Sequence, residues 1–310
     1  MADVKWMGDL SAAMPFSAAA KHVLALRLGS VAERLPLALH HADEDCEHVH
    51  QLRVSTRRAG AAVRIFAECL EAKAERKVKR ALKRIRRAAG AARDWDVFQE
   101  MIVGRMPKAT ASQKPAFDLL LGLGQGQRTA AQIHLAELTD LDDDFATIVS
   151  AALASLDETP VHETFRSRAI PLMTNLLREL DAAAALDLND YEKLHQVRIL
   201  GKQLRYAMEI FAGCFEAGFR ETIYPAVEEM QEILGDANDS HVALQRLQEI
   251  RTRLEMTQPK AWPRYRTGLQ ALQRAHQRRL PEKRAEFLTW WTTWQSSGME
   301  KQFETMLRSN

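Results

Sequence analysis

The chain has 310 residues, of which 46% are hydrophobic, so it is long enough to bury a large core as one domain or as two fused halves. Only 14 Gly and 10 Pro interrupt a sequence rich in Ala, Leu, Glu, Arg and Gln, and this composition predicts an all-helical fold. Three cysteines are too few for a disulfide framework, and no apolar run reaches membrane-spanning length, so we expect a cytoplasmic protein.

The net charge of +2 conceals a strong segregation of charge along the chain. Residues 50–93 carry 14 Lys and Arg against three Glu, and residues 246–284 carry 11 Lys and Arg against three Glu. Residues 129–165 contain eight acids and no Lys or Arg. Two basic regions of this density predict a polyanionic partner.

The segment "HADEDCEHVH" allows two interpretations. His41, Cys46, His48 and His50 are residue types that bind zinc, but no spaced set of Cys and His completes a tetrahedron. Alternatively, the acids form the N-terminus of a helix, where carboxylates face the positive end of the helix dipole. We favour the helix N-terminus and expect no metal, because only His50 recurs in the repeat described below.

The helix that follows has one basic face and one apolar face at about 100° per residue. The basic face contains His50, Arg53, Arg57 and Arg64. The opposite face, which we expect in a core, contains Leu52, Ala59, Val63 and Phe66. Such a basic face is usually just solvated, but arginine forks also suit bidentate binding of phosphate oxygens.

The next predicted helix, around residues 73–93, repeats this arrangement. Its basic face contains Arg76, Lys79, Arg80, Lys83 and Arg87, and its apolar face contains Val78, Leu82, Ile85 and Ala89. Two adjacent helices of this kind would form a basic trough. Gly90 then predicts close packing or a break. Asp94 would orient arginines, cap a following helix or, less favourably, hold a divalent cation.

An internal repeat appears when the chain is shifted by 145 residues, since 15 of 48 positions in 50–97 are identical in 195–242. The repeat places Cys69 opposite Cys214, and we expect both to be small core residues. The second copy of the basic face contains His195, Arg198, Lys202 and Arg205. A single duplication explains this pattern better than a solenoid of short units.

The second copy departs from the first where acids replace bases. Lys83, Arg84 and Arg87 correspond to Glu228, Glu229 and Glu232. Two alternatives follow. Either the second half contributes less to binding, or these acids pair with the first basic helix across the duplication axis.

The segments "VHQLRVSTRRAGAAVRIF" and "LHQVRILGKQLRYAMEIF" resemble the motifs of the CHAD domain, the conserved histidine α-helical domain. Each is followed about 40 residues on by "GAARD" or "GDAND", and the resemblance covers about Phe16 to Trp294. It implies two helical bundles related by a pseudo-two-fold axis around a basic groove or pore. It also implies binding of inorganic polyphosphate, commonly at polyphosphate granules, by a stand-alone member of the family.

Carried over by motif position, the resemblance assigns binding to His50, Arg53, Arg57, Arg58, His195, Arg198, Lys202 and Arg205. With Arg64 from the same face, further lining would come from Lys79, Arg80, Lys83 and Arg87. Gly60 departs from the family motif, which usually has another arginine at that position. We divide the chain into an extension (1–15), a first helical half (16–155) and a second helical half (156–310).

We therefore expect a non-catalytic protein that binds polyphosphate, needs no cofactor and is associated with granules and possible granule proteins. Nucleic-acid binding is the alternative, although only Trp95 and Tyr206 are candidates for stacking on bases. A phosphoanhydride-processing enzyme is a third alternative. The repeat offers no glycine-rich phosphate loop, and Asp94 and Asp239 are its only repeated acids near the basic faces.

Overall fold

The computed structural model describes residues 5–8, 10–156 and 163–308. These residues form α-helices and no β-strand, apart from an isolated bridge between Pro15 and Thr164, so the predicted all-helical fold is confirmed. Across the same ranges, no helix has the length and hydropathy needed to cross a membrane. The helices are α1 (Phe16–His40), α2 (Glu47–Ile65), α3 (Ala72–Val103), α4 (Lys114–Ala136), α5 (Thr139–Ser155), α6 (Phe165–Ala184), α7 (Tyr191–Phe211), α8 (Tyr224–Thr257), α9 (Trp262–Ser296) and α10 (Met299–Arg308).

The acidic segment before α2 forms a helix N-terminus, as predicted. The backbone N–H of Glu47 donates to Asp45 Oδ1 at 2.8 Å. This hydrogen bond satisfies one of the backbone amides of the first turn that have no acceptor within the helix. The same bond recurs 145 residues on, where the N–H of Glu192 donates to Asp190 Oδ1 at 3.0 Å. The described residues hold no group of three His, Cys, Asp or Glu side chains placed to share a metal ion.

Gly90 and Gly235 lie inside the long helices α3 and α8, so the expectation of a possible break at these glycines is wrong. One helical glycine costs about 1 kcal/mol, which is small beside the packing of helices as long as these. At Gly90, a Cβ would lie 3.5 Å from Arg53 Nη1, so the glycine leaves space for this guanidinium. Asp94 is also mid-helix and caps nothing.

Four phenylalanines from α1, α6 and the C-terminal ends of α2 and α7 meet in the main core. Phe66 ends α2 and Phe211 ends α7, and both lie against Phe165 with ring centroids 6.4 and 4.8 Å apart. Phe16 packs on Phe66 at 4.9 Å. The predicted core faces are buried, and so are Cys69 and Cys214, as expected.

A second, smaller core lies between the far ends of α3 and α8 and the helices α4 and α9. It includes Phe98, Phe117, Leu247 and Leu269, all nearly inaccessible to solvent. At Gly268, a Cβ would lie 2.6 Å from the backbone oxygen of Gln113, so α9 passes against the start of α4 with no room for a side chain. This close approach holds the residues after α3 beside α9.

Candidate functional site

A cleft of about 1260 Å³ lies between α2, α3, α7, α8 and α9. His50, Arg53, Arg57 and Arg198 line it, all from the two repeated basic faces predicted above. Since α2 packs against α7, these faces meet, and we give the name α2–α7 cluster to the five cations that face one another there: Arg53, Arg57, Arg198, Lys202 and Arg205. Of these five, Arg53, Arg57 and Arg198 line the cleft. The term is used below for these residues alone.

Burial and neighbouring cations lower the pKa values of three members of the α2–α7 cluster, Arg57, Arg198 and Lys202. Burial acts in the same direction on Arg205, but the nearby Tyr206, Tyr224 and Glu209 raise its pKa above the ordinary value. Burial lowers the pKa of Arg57, and the neighbouring Arg53 lowers it further. Burial lowers the pKa of Lys202 to about 6, and Arg57 and then Arg198 are the next largest causes. A lysine with this pKa is largely neutral at neutral pH, so the cluster already holds more positive charge than its surroundings stabilise.

Few carboxylates offset this charge. Arg53 Nη1 donates to Asp94 Oδ1 at 2.6 Å and to the backbone oxygen of Gly90 at 3.1 Å, so Asp94 orients an arginine, one of its predicted roles. Arg205 Nη1 lies 3.5 Å from Glu228 Oε1. Within the described part of the chain, no carboxylate lies within 4 Å of the three remaining cations, which are Arg57, Arg198 and Lys202. The Nε atoms of Arg198 and Arg205 are buried without a hydrogen-bond partner.

The two repeated histidines flank the cluster. Burial lowers the pKa of His50, Glu47 opposes this shift, and Arg93 adds to it. Burial also lowers the pKa of His195, followed by the charge of Arg198. The Nδ1 atom of His195 is buried without a partner. Both imidazoles are therefore mainly neutral at neutral pH, and an anion bound nearby would favour their protonation.

Arg58, predicted to bind the ligand, lies in a buried ion network and not in the lining of the cleft. Its Nε donates to Glu209 Oε2 at 2.8 Å, and Glu209 is only 1% exposed. Arg27 Nη2 lies 3.8 Å from the same oxygen, and the Tyr224 hydroxyl donates to Glu209 Oε1 at 2.9 Å. A buried carboxylate requires such partners, because its charge has lost its hydration.

The predicted basic trough along α3 is not part of the cleft lining. Five of the predicted binding residues are solvent-exposed and stand apart from the cleft: Arg64, Lys79, Arg80, Lys83 and Arg87. Carboxylates lie beside this face, since Lys79 Nζ donates to Glu75 Oε1 of the same helix at 2.5 Å. Asp140 of α5 accepts two hydrogen bonds from Arg84, the shorter at 2.7 Å.

The acids of α8 have other neighbours than the first basic helix. Glu228 lies 3.0 Å from Lys5 Nζ and 3.5 Å from Arg205 Nη1. Glu229 and Glu232 are exposed. Among the described residues, none of these acids pairs with Lys83 or Arg87, which contradicts the expectation of a pairing across the duplication axis.

Several cleft residues were missed in the sequence. Arg246 lies with its guanidinium carbon 3.8 Å from the centroid of Trp95 and donates to the backbone oxygen of Asp94 at 2.7 Å. The others lie after α3 and on α9: Arg105, Lys108, Arg274, His276, Arg278 and Arg279. The charge density of residues 246–284 was the signal for those on α8 and α9, but no repeat singled out individual positions.

Residues 22–248 match the CHAD domain family. The chain belongs to the CHAD family. The crystal structure of the CHAD domain from the plant Ricinus communis is similar to it, with a TM-score of 0.72, 24% identity, and coverage of 91% of this chain and 92% of that one. PptA from Streptomyces chartreusis is similar with a TM-score of 0.70, 19% identity, and coverage of 90% and 99%. No curated protein sequence matches significantly.

These findings confirm the family predicted from the motifs, and they show that this CHAD protein has the fold of the two similar structures. The family match ends within α8, whereas the two structural similarities extend over about nine-tenths of the chain. The residues on α9 that line the cleft therefore lie beyond the part of the sequence that identifies the family.

Proposed function

We propose that this CHAD protein binds inorganic polyphosphate without cleaving it, and that the α2–α7 cluster contacts the chain. The observation that carries the proposal is the crowding of Arg57, Arg198 and Lys202, none of which has a carboxylate of the described residues within 4 Å. A linear polyanion brings one charge per phosphate and releases its counterions on binding, so it supplies negative charge to the cluster. The binding residues in this proposal are His50, Arg53, Arg57, His195, Arg198, Lys202 and Arg205.

We further propose that 16–155 and 156–310 are duplicated halves related by a pseudo-two-fold axis, with the cleft as their shared groove. The matching hydrogen bonds to the side chains of Asp45 and Asp190, one repeat apart at the starts of α2 and α7, support this origin. So does the meeting of Phe66 and Phe211 on Phe165. Such a groove suits a long chain better than pyrophosphate, because each added phosphate meets another cation.

Nucleic-acid binding is the main alternative, and the aromatic side chains speak against it. Tyr206 is only 8% exposed. Trp95 lies beneath Arg246 and edge-on to Phe98, with ring centroids 5.6 Å apart. Tyr206 is therefore nearly inaccessible and Arg246 covers one face of Trp95, whereas single-stranded nucleic acids depend on free ring faces for stacking.

The proposal of binding without catalysis rests on the donor set of the cleft. Enzymes that cleave phosphoanhydrides commonly hold Mg²⁺ with several carboxylates. Near the α2–α7 cluster, Asp94 accepts a hydrogen bond from Arg53, and the charge of Asp239 opposes the lowering of the pKa of Arg198 by burial. We also propose that the protein acts at cytoplasmic polyphosphate granules, where its ligand is concentrated and granule proteins would be neighbours.

Titration calorimetry with long-chain polyphosphate, and with DNA of equal total charge at the same salt concentration, tests the proposal. Polyphosphate should bind more tightly, and Arg57→Gln with Arg198→Gln should weaken binding by about ten-fold or more, because each change removes a charge-assisted contact. The control, Arg80→Gln with Arg87→Gln, removes the same charge from the exposed face of α3 and should bind like the wild type.

Three outcomes would contradict the proposal. An equal loss in both variants would assign binding to the basic surface as a whole, and tighter binding of DNA would favour the nucleic-acid alternative. Release of orthophosphate from polyphosphate by the wild type with Mg²⁺, and not by the Arg57 and Arg198 variant, would show catalysis.

A further inference from the structure

A second group of cations lines the same cleft as Arg53, Arg57 and Arg198 of the α2–α7 cluster. Arg278 and Arg279 come from α9, and Arg105 lies between α3 and the short helix Met106–Lys108. We call these three residues, together with His276, the α9 cluster. Burial lowers the pKa of Arg105, followed by the charges of Arg279 and Arg278, so the three guanidinium groups lie close enough to repel one another.

The α9 cluster is also short of negative charge. Asp236 Oδ2 lies 2.8 Å from Arg279 Nη2 and also 3.2 Å from Lys283 Nζ, which has a closer partner in Glu286 at 2.8 Å. In the described ranges, Arg105 and Arg278 have no carboxylate within 4 Å. The fold holds them together nevertheless, because the contact at Gly268 fixes α9 against the segment that follows α3.

His276 gives the α9 cluster a feature that a solvated basic surface lacks. His276 is 5% exposed and lines the cleft, and neither of its buried ring nitrogens has a hydrogen-bond partner among the residues that the structure describes. Burial lowers its pKa to about 4, and Arg105 and Arg279 lower it further, so the ring is neutral at neutral pH. A buried imidazole without partners destabilises the folded protein. A ligand oxygen that accepts a hydrogen bond from its N–H would remove this free-energy cost.

We propose that the α9 cluster is a second anion-binding subsite, in which Arg105, Arg278 and Arg279 bind phosphates of an extended chain and His276 donates to one of their oxygens. This inference rests on the proposed function, because the chain would reach both clusters along one cleft. The cleft volume of about 1260 Å³ exceeds the roughly 300–1,000 Å³ of typical small-molecule pockets, which suits an extended ligand.

Calorimetric titration of the full chain with long-chain polyphosphate at several salt concentrations tests the subsite. Arg105→Gln with Arg278→Gln should weaken binding about ten-fold and reduce the slope of log affinity against log salt by about 1.4, at roughly 0.7 per lost phosphate contact. The control is Arg253→Gln with Arg266→Gln, which removes the same charge from exposed positions on α8 and α9 outside the cleft lining. It should keep both values.

The Arg57 and Arg198 variant, measured in parallel, separates this inference from the proposed function. If that variant binds weakly while the Arg105 and Arg278 variant binds like its control, the subsite is rejected and the proposed function stands. If the wild type binds no polyphosphate, or the Arg57 and Arg198 variant binds as the wild type does, the proposed function is rejected and the subsite falls with it.

His276→Phe distinguishes a ligand contact from a structural role. The change keeps a ring of similar shape and removes two unpartnered nitrogens, so Tm should stay the same or rise while affinity for long-chain polyphosphate falls several-fold. Unchanged affinity with a raised or equal Tm would remove His276 from the subsite. A lowered Tm with unchanged affinity would assign His276 to packing, and this too contradicts the inference.

Discussion

The pKa of Lys202 shows how strongly burial and neighbouring cations disfavour positive charge in the α2–α7 cluster. Its pKa of about 6 in the folded state lies far below its ordinary value of 10.5, chiefly because of burial. Between about pH 7 and pH 9, Lys202 is therefore neutral when folded and charged when unfolded, and the unfolded state binds one more proton. The free energy of unfolding should then rise with pH by about 1.4 kcal/mol per unit from this residue alone.

The variant Lys202→Met removes the titrating amine and keeps most of the side-chain volume. The difference in free energy of unfolding between wild type and variant should change by about 2.7 kcal/mol from pH 7 to pH 9, in favour of the wild type at the higher pH. Urea unfolding at constant ionic strength measures it. Lys193→Met, which changes a 40% exposed lysine on the same helix, is the control and should leave the pH slope unchanged.

Parallel pH slopes for the wild type and Lys202→Met would refute this reasoning, because they would show that Lys202 has the same pKa in the folded and unfolded states. Polyphosphate provides a second measurement. A bound polyanion restores the charge of Lys202, so binding near pH 8 should take up about one proton per protein in the wild type and fewer in Lys202→Met. Calorimetry in buffers with different ionisation enthalpies counts these protons.

Three further predictions concern the histidines, the buried ion network and two helical glycines. His50→Ala with His195→Ala should flatten the rise in polyphosphate affinity as pH falls below about 6.5, measured by calorimetry, because binding raises histidine pKa values that burial had lowered. An unchanged profile would assign both histidines to structure. Glu209→Gln should destabilise the protein by about 3–5 kcal/mol in urea unfolding, since it removes a buried carboxylate that holds two arginines. A loss below about 1 kcal/mol would contradict this. Gly235→Ala should stabilise by about 0.5–1 kcal/mol, because nothing lies within 4 Å of the added Cβ, whereas Gly201→Ala should destabilise by about 1–3 kcal/mol, because its Cβ would overlap side chains of α8. Shifts of Tm in the same direction for both would refute the packing argument.

Much of the α2–α7 cluster could be predicted because its pattern repeats locally. His50, Arg53 and Arg57 share a helix face by periodicity, and the same spacing returns 145 residues later. The meeting of the two faces could not be predicted in this way, because contacts between distant helices depend on packing of both apolar faces. The phenylalanines on Phe165 provide that packing.

Arg58 and Arg57 show where periodicity fails. The two arginines are adjacent in sequence and belong to the same motif, but Arg57 lies in the cleft and Arg58 pairs with Glu209 in the interior. A rotation of about 100° between neighbours directs one side chain to the groove and the other to α7. Which of these directions holds a carboxylate depends on a residue about 150 positions away, and no local pattern contains that information.

The sequence by itself determined the helical class, the repeat, the N-terminus of α2 and the family, because each depends on spacing along one segment. Only the tertiary structure decided which cations share a cleft. In the structure, the exposed basic face of α3 does not line the cleft, whereas Arg105 and His276 do. Neither of these two residues belongs to the sequence repeat. The physical reason is that charge density along a chain is a local property. Burial, which makes an uncompensated cation unfavourable, arises only when helices far apart in sequence pack together.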